Sequence, residues 1–321
     1  MGSQLGYGFL VNPGVAGLLG GQVFGTLVGA AILIARGLGD SAALFARSMK
    51  RKTILAVARK YHEFPKHTIS TSFLNTLSVS ILPFMLSSTF GTYIAGLTMF
   101  AQRLLMAPLQ ILTQSLWQVA HAQLPAMEWD AQADLLRKLH KYAAFLFAFP
   151  LIAIAVLSGF TGTVFGGKWH NLSLVLPCVA LMVLISSVSN CTSYFTALGR
   201  YRAETVVNVT LMAVRLTSLV LGVRYLGQYA AVNVYAISSV AVYLGINCYW
   251  GLRFGLLWTF ARNFALSISI SVIVLWPVKL LFPKSLPLAL SWTAVAGVLY
   301  YYLCAPIVKN KPVVPAKDNA E

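Results

Sequence analysis

The sequence predicts an all-α, polytopic membrane protein with about nine transmembrane helices. Three observations carry this. Only 10% of the 321 residues are charged, 58% are hydrophobic, and the mean hydropathy is +0.74. A soluble domain carries about 25% charged residues, so lipid must serve as solvent for most of this chain. The apolar residues fall in runs of about 20, the length at which a helix crosses a hydrocarbon core of roughly 30 Å. The basic residues gather in alternate connections, the pattern that orients helices in a membrane.

Nine spans follow in order: 9–35, 68–89, 92–120, 142–164, 172–197, 205–222, 230–250, 264–282 and 286–307. Two connections are long. Segment 36–67 is strongly basic and places Ala43, Leu44, Ile54, Leu55 and Ala58 at helical spacing. It reads equally as a helix on the inner membrane surface or as a solvated connector. Segment 126–141 reads as a short amphipathic cytoplasmic helix, a structural elbow before the fourth span. The remaining connections are only a few residues long.

With 36–67 in the cytoplasm, the cytoplasmic segments hold 18 of the 24 basic residues, from Arg36 in the first connection to Lys317 in the tail. The opposite side receives Lys168, Arg224 and Lys284, and Lys279 is close enough to a span end to snorkel. That bias puts the C-terminus in the cytoplasm. Nine spans then put residue 1 outside, where nothing in "MGSQLGYG" would send it. An odd number of helices preceding the chain in a longer protein is the expected remedy.

Composition also narrows function. The net charge of +16 is accounted for by helix orientation, so nucleic acid is not an expected partner. Cys178, Cys191, Cys248 and Cys304 all fall in apolar spans without CxxC spacing, so neither a metal site nor a disulfide framework is expected. No P-loop, nucleophile elbow or paired carboxylate appears, and His170 stands alone in an outer connection. The expectation is a protein that is not an enzyme and uses no cofactor. The eight acidic residues all avoid the depths of the spans, so the intramembrane carboxylate that ion-coupled carriers use is missing.

The second and third spans carry the functional signal. "HTISTSFLNTLSVSILPF" threads Ser70, Thr71, Ser72, Asn75, Thr76, Ser78 and Ser80 through an apolar stretch and adds Pro83. Lipid offers no hydrogen bonds, so one face of this helix looks at protein or water. Tight packing through small polar residues and a hydrophilic cavity wall are both compatible with it. In the third span Arg103, Gln110, Gln114, Trp117, Gln118 and His121 follow at steps of 7, 4, 3, 1 and 3, mostly one stripe of a 3.6-residue helix. An arginine at the membrane centre costs at least about 2.5 kcal/mol on insertion scales. No acidic residue lies in this span or its neighbours to pair with Arg103. The guanidinium is suited to an anionic ligand such as a phosphate, or else snorkels or bonds backbone carbonyls. Arg215 also lies in a span, with only Thr210, Thr217 and Ser218 for polar company. Candidate cavity residues are therefore Arg103, Arg215, Asn75, Gln110, Gln114 and Gln118, with Pro83 and Pro108 as candidate hinges.

These residues carry a resemblance. Tyr61 and the Phe64-Pro65 corner, then Asn75, Pro83, Phe90-Gly91 and the Arg103-to-Pro108 spacing, are similar in order to Wzx-type oligosaccharide flippases. That family is the polysaccharide biosynthesis proteins of the multidrug/oligosaccharidyl-lipid/polysaccharide (MOP) superfamily. "VFGGKWHN" resembles its Phe-Gly-x-x-Trp outer turn through Phe165, Gly166 and Trp169, and "ALGRYR" its Gly-Arg inner turn through Gly199 and Arg200. The resemblance runs from about Leu10 to Trp250.

It implies two MATE-like six-helix lobes that rock between inward- and outward-facing states. Residues 1–36 would close a truncated first lobe, and 37–67 would be the basic cytoplasmic linker. Residues 68–250 would form the second lobe, 251–308 two extra C-terminal helices, and 309–321 a cytoplasmic tail. The implied activity is flipping of lipid-linked oligosaccharide repeat units for surface polysaccharides such as the O-antigen of lipopolysaccharide. The implied setting is the bacterial inner membrane. The implied partners are an undecaprenyl-pyrophosphate-linked oligosaccharide, membrane lipids, and the polysaccharide polymerase and chain-length proteins. On this reading Ser, Thr and Asn of the second span face sugar hydroxyls, and Arg103 and Arg215 attract the pyrophosphate or acidic sugars. A MATE-type small-molecule antiporter and a non-transporting fragment stand as alternatives. The intramembrane arginines and missing membrane carboxylates argue against the antiporter.

Overall fold

The computed structural model describes residues 23–32, 52, 55, 56, 59 and 63–309 apart from 193, 194, 196, 283 and 284. The side chains of 63–65, 108, 119, 191, 192, 279 and 309 are outside the description. The chain divides into two compact units, Met1–Pro65 and Lys66–Glu321. In the first, helix α1 (Val23–Ile32) is apolar along its whole length. The rest of the expected span 9–35, most of the linker 37–67 and the tail beyond 309 lie outside the described residues.

Among its described residues the second unit has helix as its regular secondary structure and no strand. Its elements are α2 (Glu63–Phe90, entering this unit at Lys66), α3 (Thr92–Gln123), α4 (Trp129–Val156), the short α5 (Thr161–Phe165), α6 (Leu176–Thr192), α7 (Tyr201–Tyr225), α8 (Gln228–Arg253), α9 (Leu257–Leu281) and α10 (Leu286–Lys309). Among the described residues six segments are long and apolar enough to cross a membrane, and eight if each of two bent pairs counts as one span. One bent pair is α3, broken by 50° between Thr92–Ala107 and Leu109–Ala126. The other joins the 3-10 stretch Gly167–Leu174 to Leu176–Asn190 at 58°. The chain is thus an all-α, multi-pass membrane protein. Eight of the nine expected spans are seen as helices, and the first is described only over Val23–Ile32.

One boundary differs from the sequence reading. Segment 126–141 is not a separate amphipathic helix, because α4 continues unbroken from Trp129 through the fourth span. The change from charged to apolar residues near Lys141 suggested an elbow. Charge does not break a helix, and "DLLRKLHKYAAFLFA" contains neither Gly nor Pro to do so. Likewise α9 starts at Leu257 rather than 264.

Packing follows helical periodicity. On α3, Ile94, Leu97, Ala101 and Leu105 recur every three or four residues and are buried against α4, α6 and α8 in the main apolar core. Ala143, Ala144 and Ala148 line the buried side of α4, where small side chains let neighbouring helices approach. Phe145, Phe149 and Ala153 of α4 meet Leu275, Ala289, Ala296 and Tyr300 of α9 and α10 in a second core. Meanwhile Phe84, Ile111, Ile273 and Val298 are exposed, as expected of side chains whose surroundings are lipid.

Two turns between helices stand out. At the turn after α5 Gly166 has φ +93°, a conformation that favours glycine. Phe165 and Trp169 then flank Phe100 of α3, with ring centroids at 5.1 and 4.4 Å. The Tyr93 hydroxyl donates to the Lys168 carbonyl at 2.8 Å. At the turn before α7 the Arg200 guanidinium donates to the Tyr249 hydroxyl at 3.1 Å.

Candidate functional site: a polar cleft between three helices

The stripe on α3 opens onto a cleft of about 630 Å³, bounded by α2 and α6. That volume lies within the range of small-molecule sites. From α3 come Gln102, Arg103, Gln110, Thr113, Gln114 and Trp117, and from α6 Ser186, Ser187 and Asn190. The rest of the wall is apolar: Val79 of α2, with Met99, Met106, Ala107 and Leu109 of α3. The helical repeat explains the α3 set, since steps of three and four residues return to one face. The bend between Ala107 and Leu109 falls inside the cleft. Pro108 sits there, and a proline has no amide hydrogen for the helical ladder.

The cleft's polar groups are held in different ways. The hydroxyls of Thr113 and Ser186 bond back to their own helices, at 2.8 Å to the Leu109 carbonyl and 3.1 Å to the Val183 carbonyl. Arg103, Gln110 and Gln114 are exposed, and none of the described residues hydrogen-bonds or ion-pairs the Arg103 guanidinium. Chemically the cleft offers one cation, several amides and hydroxyls, an indole face and a strip of apolar wall. Such a lining suits an amphiphile with an anionic group and hydroxyls. Among the described residues no group of three or more His, Cys, Asp or Glu side chains could hold a metal ion.

The predicted site residues separate into two places. Arg103, Gln110 and Gln114 line the cleft together. Gln118 and Asn75 are exposed on α3 and α2 but are not part of its lining. Pro83 is half-buried in α2, which passes as a single span. Arg215 lies elsewhere, buried to 4% exposure in the middle of α7. Its Nε donates to Ser239 Oγ at 2.9 Å, one Nη to Ser78 Oγ at 3.1 Å, and the other to the Tyr243 hydroxyl at 3.3 Å. The rings of Tyr235 and Tyr243 lie 5.4 and 5.7 Å from its guanidinium carbon. These neighbours join α2, α7 and α8 around one cation, so Arg215 is a brace between helices.

The polar face of α2 is shared out in the same way. Near its start, Thr205 Oγ1 of α7 lies 3.2 Å from His67 Nδ1 and 3.3 Å from Thr71 Oγ1, and Ser78 joins the Arg215 brace further along. Ser72, Asn75 and Thr76 remain exposed. Packing therefore accounts for one part of the punctuation. The polar cleft residues outside the predicted set are Gln102 and Thr113 of α3 and Ser186, Ser187 and Asn190 of α6. "LISSVSN" in α6 carries the same small polar signature that drew attention to α2.

A multi-pass helical membrane protein with a largely apolar cleft that carries one cation, amides and hydroxyls is the class that fold and site define. A model of the family described as polysaccharide biosynthesis protein matches residues 10–174, just over half of the chain, and the chain belongs to that family. The match includes α2, α3 and α4 and ends before α6. No curated protein and no solved structure matches the chain.

Proposed function

We propose that this chain acts in moving lipid-linked oligosaccharide repeat units across the bacterial inner membrane, as a Wzx-type member of the MOP superfamily. The observation that carries this is the cleft, where Arg103, without a partner among the described residues, stands beside amides, hydroxyls and an apolar wall. Leaving a cation unpaired at membrane depth is unfavourable, and an anionic ligand offsets the cost. A pyrophosphate would meet Arg103, and sugar hydroxyls would meet Gln110, Gln114 and Asn190. Translocation breaks no covalent bond, so the chain is not an enzyme on this reading. The excess of basic residues in alternate connections supports a cytoplasmic C-terminus. The polysaccharide polymerase and chain-length proteins are its proposed partners.

The test is complementation. The chain, and the same chain extended by any in-frame sequence that precedes it, is expressed in a bacterium lacking its polysaccharide flippase, and surface glycan is measured. Export by either form supports the proposal, and Arg103→Ala in the active form is expected to abolish export at unchanged protein level. Export that survives Arg103→Ala would remove the cleft from the mechanism. Small-molecule resistance without glycan export would point to an antiporter.

A further inference from the structure

Among the described residues, seven buried side-chain nitrogen or oxygen atoms lack a hydrogen-bond partner. Six of them sit where α4, α8 and α9 meet: Arg137 Nε, both ring nitrogens of His140, Trp250 Nε1, Arg253 Nε and Asn263 Nδ2. Buried polar groups are nearly always partnered, so six orphans on three adjoining helices call for an explanation. Their chemistry is one-sided. Four are N–H donors, and histidine supplies a fifth from whichever nitrogen carries the proton.

Ring contacts fix the relation of the helices here. Trp129 stacks on Phe254 at 4.4 Å, and the Arg253 guanidinium lies 5.1 Å from the Trp129 ring centre. Deeper in, His140 is 0% exposed and stacks on Phe260 at 3.9 Å. Arg137 and His140 are three residues apart on α4, and Trp250 and Arg253 three apart on α8, so on each of these helices the orphans lie within one turn. No carboxylate among the described residues pairs with Arg137 or Arg253, and Asp134, the acid nearest Arg137 in sequence, is bound to Lys138 at 2.7 Å. Lys141 and Arg262 add positive charge close by, near enough to repel each other.

From this we infer a binding site for a phosphate-bearing ligand at the α4–α8–α9 junction, separate from the cleft. Two arginines without an acidic partner among the described residues call for an anion, and surplus donors call for an acceptor-rich one. Phosphate meets both needs. The junction joins three helices long and apolar enough to cross a membrane, which favours a glycerophospholipid over a free phosphate. Arg137 and Arg253 would meet its phosphate. Basic pockets between membrane helices are suited to acidic headgroups.

The full chain, purified in neutral detergent, is heated with phosphatidylglycerol, with phosphatidylcholine, or with millimolar inorganic phosphate, and its unfolding midpoint is read. Phosphatidylglycerol is expected to raise the midpoint several degrees above phosphatidylcholine. The double variant Arg137→Gln/Arg253→Gln is expected to lose that difference, and Arg224→Gln, in the last turn of α7, to keep it. A rise with inorganic phosphate too supports the site and assigns it to a soluble phosphate ligand, whereas a rise with the lipid alone assigns it to the membrane. No preference for phosphatidylglycerol and no response to phosphate in the unaltered chain overturns the inference, whether or not the double variant folds. An equal rise in the double variant overturns it as well.

Discussion

Arg103 and Arg215 share a residue type and a membrane setting, yet the structure gives them opposite surroundings. Arg215 is enclosed by Ser78, Ser239 and Tyr243, with every guanidinium nitrogen bonded. Removing one hydroxyl leaves a buried charged donor unsatisfied. Ser78→Ala or Ser239→Ala is therefore expected to cost about 1 kcal/mol, read as a lower unfolding midpoint in detergent. Midpoints equal to the parent's would refute the brace. Arg103 has no such partners and is exposed, so Arg103→Gln should change stability by less than about 0.5 kcal/mol. A larger loss would mean that Arg103 supports the fold. The sequence marked both as intramembrane cations. It could not tell them apart, because the partners of Arg215 come from α2 and α8, up to 137 residues away.

At the scale of elements, the helices were legible because runs of about 20 apolar residues have few other uses. Where the reading slipped, it slipped at boundaries. The elbow expected before the fourth span dissolves into α4, since charge patterning marks a membrane surface and not a helix end. The bend in α3 is the element-scale feature that shapes the cleft. Replacing Pro108 with Ala restores an amide hydrogen and is expected to straighten α3. Two arms of 16 and 18 residues bent by 50° would then lengthen end to end by roughly 5 Å at 1.5 Å per residue. Spin labels at Tyr93 and Gln123 would read that distance, and an unchanged distance would put the cause of the bend in packing against α6.

For the whole molecule, the expected asymmetry is electrostatic. Connections rich in Lys and Arg alternate with poor ones, which fixes which ends of α3 to α10 share a side. Single cysteines replacing Lys168 and Arg202 in a cysteine-free background should differ in labelling by an impermeant thiol reagent. The position at 168 is expected to react in intact cells and the position at 202 only after permeabilisation. The reverse pattern would invert the topology and place the C-terminus outside.

What the sequence determined by itself was the solvent, the helical class, and the face of α3 that carries Arg103, Gln110 and Gln114. All three follow from local composition and a 3.6-residue period, which need no knowledge of neighbours. Only the tertiary structure decided that Ser186, Ser187 and Asn190 complete the cleft, that Arg215 is a brace, and that orphan donors collect between α4, α8 and α9. The physical reason is that a polar group in a membrane that its own helix leaves unsatisfied must find its partner on another. Which helix supplies the partner depends on packing between segments far apart in the chain.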